Sequence, residues 1–347
     1  MELHASRHFP AWLAEQNVSL GLSTYEAGKI ILVGRRANGQ LAANERTFSR
    51  AMGLCSDGQT LWAATAYQIW RFENALDAGQ TDGDVDRLFI PRCGYTTGDI
   101  DVHDLAVSEG ALRFVSTLFC CIGSLSERCS FKPEWRPSFI SKLAAEDRCH
   151  LNGLAVRDGR MRYVTAISQS DVAQGWREFR RDGGVVIDID NDAVLASGFS
   201  MPHSPRWYRD RLWLLDSGNG RFGYLDAHGQ FETVAFCPGY ARGLAFVGDF
   251  ALIGLSRPRE ATFNGLALDD ELAKRGAKAQ TGVVVVDLRS GDLVHTLFVD
   301  ERIRELYDVI ALPGVRRPKL LGFKTDEIKH TLSIEGERSL WRAAPTG

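Results

Sequence analysis

The chain has 347 residues, of which 44% are hydrophobic, and it carries a net charge of −3. This composition suffices for a large buried core, and the weak negative charge offers no basic surface to nucleic acid or acidic lipid. No apolar run approaches the roughly 18 residues that span a membrane, and no signal-like apolar segment opens the sequence, so we expect a cytoplasmic protein.

Helical patterns are scarce, and the two that we predict, Pro10–Gln16 and Asp269–Arg275, are short. The remainder consists mainly of short β-branched and aromatic runs that end at Gly, Asp or Asn, which is typical of strands. The first three runs are VSLGLSTY (18–25), KIILVGRR (29–36) and QLAANERTF (40–48). They precede the first unit of a repeat that occupies most of the later sequence.

Each repeat unit opens with a variable residue, then a small or polar residue, an apolar strand, a tight turn and a second strand. The variable residues are Met52, His103, Asn152, His203, Arg242 and Tyr307. A period of about 40–50 residues with about four strands is typical of a β-propeller blade. The sequence therefore predicts an all-β fold, a six-bladed β-propeller.

The last unit opens at Tyr307, too near the C-terminus to supply four strands. We predict that the N-terminal strands of residues 17–48 complete this sixth blade beside an inner strand at 306–312. Joining the two ends in one sheet would close the ring and remove its edges. The predicted domain is residues 1–324, and residues 325–347 form a tail.

The inner strand of a blade lines the central channel, and strand side chains alternate with period two. The six variable residues are therefore predicted to form an inner ring at the channel mouth. Residues two positions earlier are predicted to form an outer ring, which consists of Arg50, Asp101, His150, Met201, Tyr240 and Glu305.

Three of the eight histidines, His103, His150 and His203, thereby converge from three consecutive blades, with Asp101 beside them. Three neutral imidazoles and a carboxylate suit a divalent transition metal such as Zn, Fe, Mn or Cu. The sequence predicts these four residues as the metal site. Cys149 adjoins His150 and is predicted to point the other way, into the blade packing.

The other polar groups at the mouth suggest a metal-dependent enzyme that acts on a small molecule or a peptide. Tyr307 or Glu305 would act as acid or base, and Arg242 would stabilise a developing oxyanion. A lyase, a hydrolase and an oxidase all remain open. The predicted substrate-binding residues are Asn152, Arg50, Tyr240, Arg257 and Arg259.

Two alternatives remain open from the residues alone. The same mouth would also serve a non-catalytic propeller that holds a peptide or a glycan. The insertion at 256–280 is either a lid, with Arg257, Arg259 and Glu260 touching a substrate, or a solvated loop with a short helix. A pair of arginines suits a carboxylate or phosphate group.

The seven cysteines are odd in number and scattered, which favours reduced thiols. For the adjacent pair Cys120 and Cys121, we predict one buried and one outward thiol on a strand in preference to a strained disulfide.

Five long motifs resemble an uncharacterised bacterial family of conserved hypothetical proteins with a predicted propeller fold. They are EDRCHLNGLAV, GWREFRRDGGVV, MPHSPRWYRDRLWLLDSG, PGYARGLAFVGDFALIGLSRPRE and ELYDVIALPG. The resemblance covers roughly residues 15–315 and implies the fold without implying an activity.

More distantly, the NGLAV opening is similar to openings in the gluconolactonase and strictosidine-synthase-like group. That resemblance implies a divalent ion at the channel held by carboxylate and Asn ligands, and only Asn152 matches. The chain is also similar to the peptidylglycine-amidating lyase, which holds zinc with three histidines on alternate blades near a Tyr and an Arg. Here His103 and His203 lie on alternate blades, and Tyr307 stands where the third His would be.

Overall fold

The computed structural model describes residues 2–258, 265–300, 302–337 and 340–342. Six antiparallel sheets form a ring, and the predicted six-bladed β-propeller is confirmed. We number the blades by the order of their inner strands in the chain, so that blade one opens after Met52. Strands run from the channel outward in each blade.

The strands of each blade are given from the innermost to the outermost. Blades one to three contain Leu54–Ser56, Thr60–Ala64, Gln68–Asn74 and Arg87–Thr96; Val102–Ser108, Ala111–Ser116, Cys121–Ser124 and Lys132–Trp135; and Leu151–Arg157, Arg160–Ala166, Gly184–Asp188 and Ala193–Phe199. Blades four to six contain Pro202–Tyr208, Arg211–Asp216, Arg221–Leu225 and Phe231–Phe236; Tyr240–Val247, Phe250–Ser256, Gly282–Asp287 and Leu293–Val299; and Asp308–Pro313, Val18–Thr24, Lys29–Arg35 and Leu41–Thr47.

The ring closes as the sequence predicts. Val18–Thr24 pairs antiparallel with Asp308–Pro313, with Leu20 opposite Ala311. Every residue of Val18–Thr24 is buried, because the strand pairs with a neighbour at both edges, packs against blade five on one face and meets blade one on the other. The two ends of the chain are thus fastened in one sheet.

Two blades differ from the prediction of four strands each. Leu3–Ala5 adds a fifth strand to blade five, and Pro318–Leu320 adds one to blade one, parallel to Arg87–Thr96. Each added strand is three residues long, which is too short for an alternation of apolar and polar residues to be recognised in the sequence. Both cover the outer edge of a sheet, where unpaired backbone groups would otherwise lie.

Two predictions concern cysteines in this part of the ring. Cys120 and Cys121 are both buried, so the prediction of one outward thiol was wrong. Cys120 has φ +51° and lies in a turn before the strand Cys121–Ser124, so the pair does not alternate along a strand. Cys149 turns into the packing between blades two and three, as predicted.

The helices of the described residues are all short. The α-helices are Phe9–Glu15, Ala267–Lys274 and Glu327–His330, and the 3₁₀ helices are Gly175–Phe179 and Ser217–Asn219. Phe9, Trp12 and Leu13 of the first helix are buried against the strands of blades five and six. After the last blade strand, Thr331–Leu332 and Trp341–Arg342 form a small separate hairpin-like sheet.

Odd and even blades differ at the residue that follows the channel-lining residue. The odd blades have Gly53, Gly153 and Gly243 there, and the even blades have Asp104, Ser204 and Asp308. Each polar side chain of the even set accepts a backbone N–H from the following blade, donated by Leu154, Gly243 and Leu54 respectively, at 2.8–3.0 Å.

This close approach explains the glycines. A Cβ at Gly243 would lie 2.4 Å from the backbone N of Val309, and Gly243 also has φ +76°. A side chain there would both clash and strain the backbone. The bonds give the ring a threefold alternation, and they place His103, His203 and Tyr307 at equivalent positions of the three even blades.

Candidate functional site

Three aromatic side chains from the even blades form a triangle at the channel. Their ring centroids are 6.2 Å apart for His103 and His203, 5.5 Å for His103 and Tyr307, and 6.2 Å for His203 and Tyr307. Met52, the inner-ring residue of blade one, is fully buried in the same core cluster as Tyr307. The triangle therefore forms the floor of the mouth.

Two adjoining cavities lie at this mouth, and both are lined by His150 and Arg242. One has a volume of about 430 Å³ and is walled on one side by Tyr25 and Trp176. Between them they bring together most of the predicted site residues, which are Asp101, His103, His150, Asn152, His203, Tyr240, Arg242, Arg257, Glu305 and Tyr307.

Two predicted residues are not among those that line the cavities. Arg50 pairs with Asp99 and lies over the ring of Tyr25, with its guanidinium carbon 5.5 Å from the ring centroid. Arg259 lies outside the described residues, as does Glu260, so the lid proposed for 256–280 stays a prediction. The described end of that insertion forms the helix Ala267–Lys274.

Four of the six outer-ring residues precede their inner strands in a backbone turn, and not in the extended chain that the predicted alternation requires. Arg50, Asp101, His150 and Met201 have positive φ angles of 49°, 54°, 53° and 52°. Each stands in a left-handed turn before its inner strand, so the extended chain does not continue through it. The prediction that His150 and Asn152 share the mouth through period-two alternation was therefore wrong in its reason, because a repeated turn turns His150 inward.

His103 is held through Nδ1 with its proton on that atom. Thr117 Oγ1 donates its one proton to the carbonyl oxygen of Leu151 at 2.5 Å, so His103 Nδ1, 2.7 Å from this hydroxyl, must be the donor. The carbonyl oxygen of Asp101, 3.2 Å away, accepts from the same nitrogen. His103 Nε2 is therefore left with a lone pair.

His150 is held in the same way by a carboxylate that the sequence analysis missed. Its Nδ1 donates to both oxygens of Asp147, at 3.0 and 3.1 Å. Trp176 Nε1 donates to Asp147 Oδ2 at 2.8 Å, and the Trp176 ring packs 4.2 Å from the His150 ring. His150 Nε2 thus also carries a lone pair.

His203 differs from the other two histidines at Nε2. Its Nδ1 lies 2.8 Å from Ser204 Oγ, and its Nε2 is buried without a hydrogen-bond partner among the described residues. The side chain is only 7% exposed and lines the smaller cavity. An unsatisfied buried nitrogen costs about 1–3 kcal/mol, which a ligand in the cavity would offset.

Asn152, which we predicted to bind substrate, is engaged within the protein. Its amide nitrogen donates to the carbonyl oxygen of Pro202 at 3.0 Å, and its amide oxygen accepts from Thr165 Oγ1 at 2.7 Å. The side chain joins blade three to the start of the strand that carries His203. Its observed contacts are those of a positioning residue.

The remaining predicted residues surround the triangle. The Arg242 guanidinium carbon lies 5.6 Å from the Tyr307 ring centroid, and the charge of Arg242 contributes to the lowered pKa of both His103 and His203. The Tyr240 hydroxyl lies 3.2 Å from Asp269 Oδ1, which ties the mouth to the helix Ala267–Lys274. Arg257 donates to the carbonyl oxygen of Ile303 at 3.2 Å.

The described residues contain no group of three His, Cys, Asp or Glu side chains arranged to hold a metal ion as they stand. The donor chemistry nevertheless suits one, because His103 and His150 offer Nε2 lone pairs and His203 Nε2 is a buried atom with no hydrogen-bond partner within the described ranges. The predicted metal site of His103, His150, His203 and Asp101 therefore stays a prediction.

Burial keeps the two histidines of the triangle neutral, and it makes the free energy of unfolding depend on pH. Burial lowers the pKa of His103 from 6.5 to about 4, and lowers that of His203 well below its ordinary value. Since the folded pKa is depressed, this stability is fully present above the unfolded pKa of about 6.5 and is lost as the pH falls towards 4. Asp308 acts in the opposite direction, because burial raises its pKa to about 7.

We therefore expect the free energy of unfolding of the wild type to fall by about 3 kcal/mol more than that of His103→Ala between pH 6.5 and pH 4. The difference removes the contribution of Asp308, which is present in both proteins, and reports on His103 together with its effect on the pKa of His203. Urea unfolding at several pH values measures it. Parallel pH profiles for the two proteins would show that His103 is not buried in its neutral form.

The chain belongs to a family described as a domain of unknown function (DUF4915), whose model matches residues 7–321. No curated protein sequence matches the chain. None of the helices in the described ranges is long and apolar enough to cross a membrane.

Solved structures with similar shape are propellers of low sequence identity. A nidogen/laminin complex matches with 12% identity and a TM-score of 0.55, over 86% of this chain and 99% of that one. A putative gluconolactonase matches with 13% identity and a TM-score of 0.52, over 88% and 89%. These likenesses show the fold, and the site has to be read from its own residues.

Proposed function

We propose that this chain is an enzyme that acts on a small molecule or a peptide at the channel mouth, with a divalent transition metal held by Nε2 of His103, His150 and His203. The observation that carries the proposal is the anchoring of all three rings through Nδ1. Histidines that bind metal typically donate their other ring N–H to a carboxylate, a carbonyl or a water. His150 does so to Asp147, and His103 to Thr117 and Asp101.

The protonation states support the same proposal. Metal ligation requires neutral imidazole, and burial lowers the pKa values of His103 and His203 below their ordinary range. Both rings are therefore neutral at pH 7. The proposal rests on this donor chemistry and on the cavity beside it, since the side chains do not form a closed ligand set as they stand.

Once bound, such a metal would polarise a carbonyl group or lower the pKa of a water molecule. The chain's own residues would do the rest. Arg242 stands beside Tyr307, where its guanidinium would stabilise an oxyanion on the substrate. Tyr307 and the buried Glu305 flank the same cavities, and one of them would hold or move a proton. A lyase, a hydrolase and an oxidase are all compatible with these residue roles.

The competing function is a propeller that only binds. The two similar structures are one of each kind, a putative gluconolactonase and a complex of nidogen with laminin. His203 Nε2, buried and without a hydrogen-bond partner in the part of the chain that the structure describes, favours the enzyme, because a surface that only binds a peptide or glycan gains nothing from neutral imidazoles in its floor.

Elemental analysis of the purified protein tests the proposal. We expect about one transition-metal ion per chain after expression in medium supplemented with Zn, Fe, Mn and Cu, and loss of the ion as the pH falls towards 4, where His103 takes up a proton. Less than about 0.1 ion per chain, with no uptake of any of the four metals by dialysed protein at pH 7.5, would leave the proposal without support and favour the binding propeller.

A further inference from the structure

A further cavity lies along the six inner strands, separate from the two cavities at the mouth. Its volume is about 470 Å³, which is within the range of small-molecule sites. Every inner strand contributes to it, with positions that follow the mouth residue of that blade in the chain: 54–57, 105–107, 154, 156, 206–208, 244–246, 309–311 and 313. Of the described residues, none that lines this cavity also lines a mouth cavity.

The walls of this cavity are mainly apolar. They include a stacked aromatic pair, Tyr208 and Phe246, whose ring centroids are 4.5 Å apart and whose planes differ by 7°. Val107 also lines the cavity and leaves 45% of its surface exposed, although it belongs to an inner strand. Covering such apolar surface is favourable in water, so the walls favour a ligand that consists mainly of hydrocarbon.

Arg206 gives the cavity one polar group with hydrogen-bonding capacity to spare. Its Nε donates to the carbonyl oxygen of Leu244, and its Nη1 donates to Asp104 Oδ2 and to the carbonyl oxygens of Leu154 and Pro205. Nη2 carries two hydrogens, and within the described ranges it has one acceptor, Asp104 Oδ1, at 3.1 Å. Since the side chain is 22% exposed and lines the cavity, one N–H remains for a ligand that carries an acceptor.

The charges around Arg206 disfavour an ionic ligand of either sign. A carboxylate would be repelled by Asp104, which already pairs with Arg206, and by Asp308, whose carboxyl interacts with the same guanidinium. A cation would be repelled by Arg206 itself, and by Arg157 and Arg209, which lie over two of the aromatic rings of the wall.

The carboxylate that lines the cavity does not change this balance. Asp57 is exposed, and its Oδ1 accepts from the backbone N–H groups of Gln59 and Thr60 at 2.8 and 2.7 Å. Its contacts are those of a residue that holds its own turn. The polar group that suits the cavity is therefore an uncharged acceptor.

We propose that this cavity binds a neutral small molecule that is mainly hydrocarbon and carries one hydrogen-bond acceptor, a hydroxyl or carbonyl oxygen, which accepts from Nη2 of Arg206. The apolar walls cover the hydrocarbon, and the oxygen takes the remaining N–H. The site is separate from the proposed metal centre and does not rest on the proposed function.

Three ligands with the same eight-carbon chain and different head groups test the proposal: 1-octanol, octanoate and octylammonium. Each is titrated into the full-length chain at pH 7.5, with calorimetry for the dissociation constant and methyl NMR for the place of binding. We expect octanol to bind with a dissociation constant at or below about 1 mM, at least tenfold tighter than either ion, and to shift the methyl signals of Val107, Val156 and Leu244.

A matched pair of variants confirms the location. Val107→Asp puts a charge on a half-exposed position of the wall and should weaken octanol binding at least fivefold. Val194→Asp changes a valine that is 41% exposed on the outermost strand of blade three, and it should bind octanol as the wild type does.

Four results would overturn the proposal. They are an ion that binds as tightly as octanol, methyl shifts confined to residues outside the cavity, no shift at octanol concentrations up to its solubility, and wild-type affinity in Val107→Asp. The titrations of the wild type decide the first three, even where a variant fails to fold.

Discussion

Replacing His103 or His203 with alanine will lower the affinity for the metal at least 100-fold while the propeller stays folded. Loss of a group that only holds a metal ligand in place typically costs about 10–100-fold in metal affinity, and loss of the ligand itself costs more. The fold should persist because the blades are held by sheet ladders and by the inter-blade cores, whereas the two rings stand at the end of the channel.

Two further variants make the test specific. Asp147→Asn keeps the shape of the side chain that holds His150 but removes its charge, so we expect a loss of about 10–100-fold. His228→Ala changes an exposed turn histidine and should leave affinity unchanged. Metal titration, with thermal unfolding as the check on folding, measures the series. If His103→Ala binds the metal as tightly as the wild type does, His103 is not a ligand.

The largest expected loss of stability is at Asp104, which directly follows the channel-lining residue His103 on its inner strand. Asp104 accepts two hydrogen bonds from Arg206, at 2.7 and 3.1 Å, and one from the backbone N–H of Leu154 at 3.0 Å. Arg206 also donates to the carbonyl oxygen of Leu244 at 3.1 Å. This pair joins blades two to five around the channel.

Asp104→Ala will therefore lower the free energy of unfolding by about 3–5 kcal/mol, because it takes the carboxylate from the half-buried Arg206 charge and from the backbone N–H groups of Leu154 and Leu105. The matched control is Asp249→Ala, which breaks the surface pair with Arg209 and should cost at most about 1 kcal/mol. Urea unfolding of the three proteins measures both. Equal losses for the two variants would show that the pair does not hold the blades together.

The repeat carried most of the fold prediction. One opening pattern located all six inner strands and the closure by residues 18–24, because each blade must present the same apolar strand to its neighbours. The odd–even alternation was also readable, as MGL, NGL and RGL against HDL, HSP and YDV. The sequence alone does not explain this alternation, because its cause is a hydrogen bond from one blade to the next that forms only when the blades are adjacent.

The site was predictable only where it follows the strand pattern. The inner-ring residues His103 and His203 fall on the repeat, so the sequence brought them together. Asp147 and Trp176 do not, because a turn and a 3₁₀ helix carry them to His150. Nothing in local spacing marks a tryptophan 29 residues away as the partner of the Asp147 carboxylate, so only the folded chain reveals this contact.

The central claim is that three histidines at the channel mouth hold one transition metal, and anomalous X-ray diffraction from crystals of the metal-loaded protein tests it most directly. Data collected on either side of the absorption edge of the bound metal locate the ion and identify it. The account predicts one peak at about 2.0–2.1 Å from Nε2 of His103, His150 and His203. No peak at the mouth, or a peak held by other side chains, would contradict it.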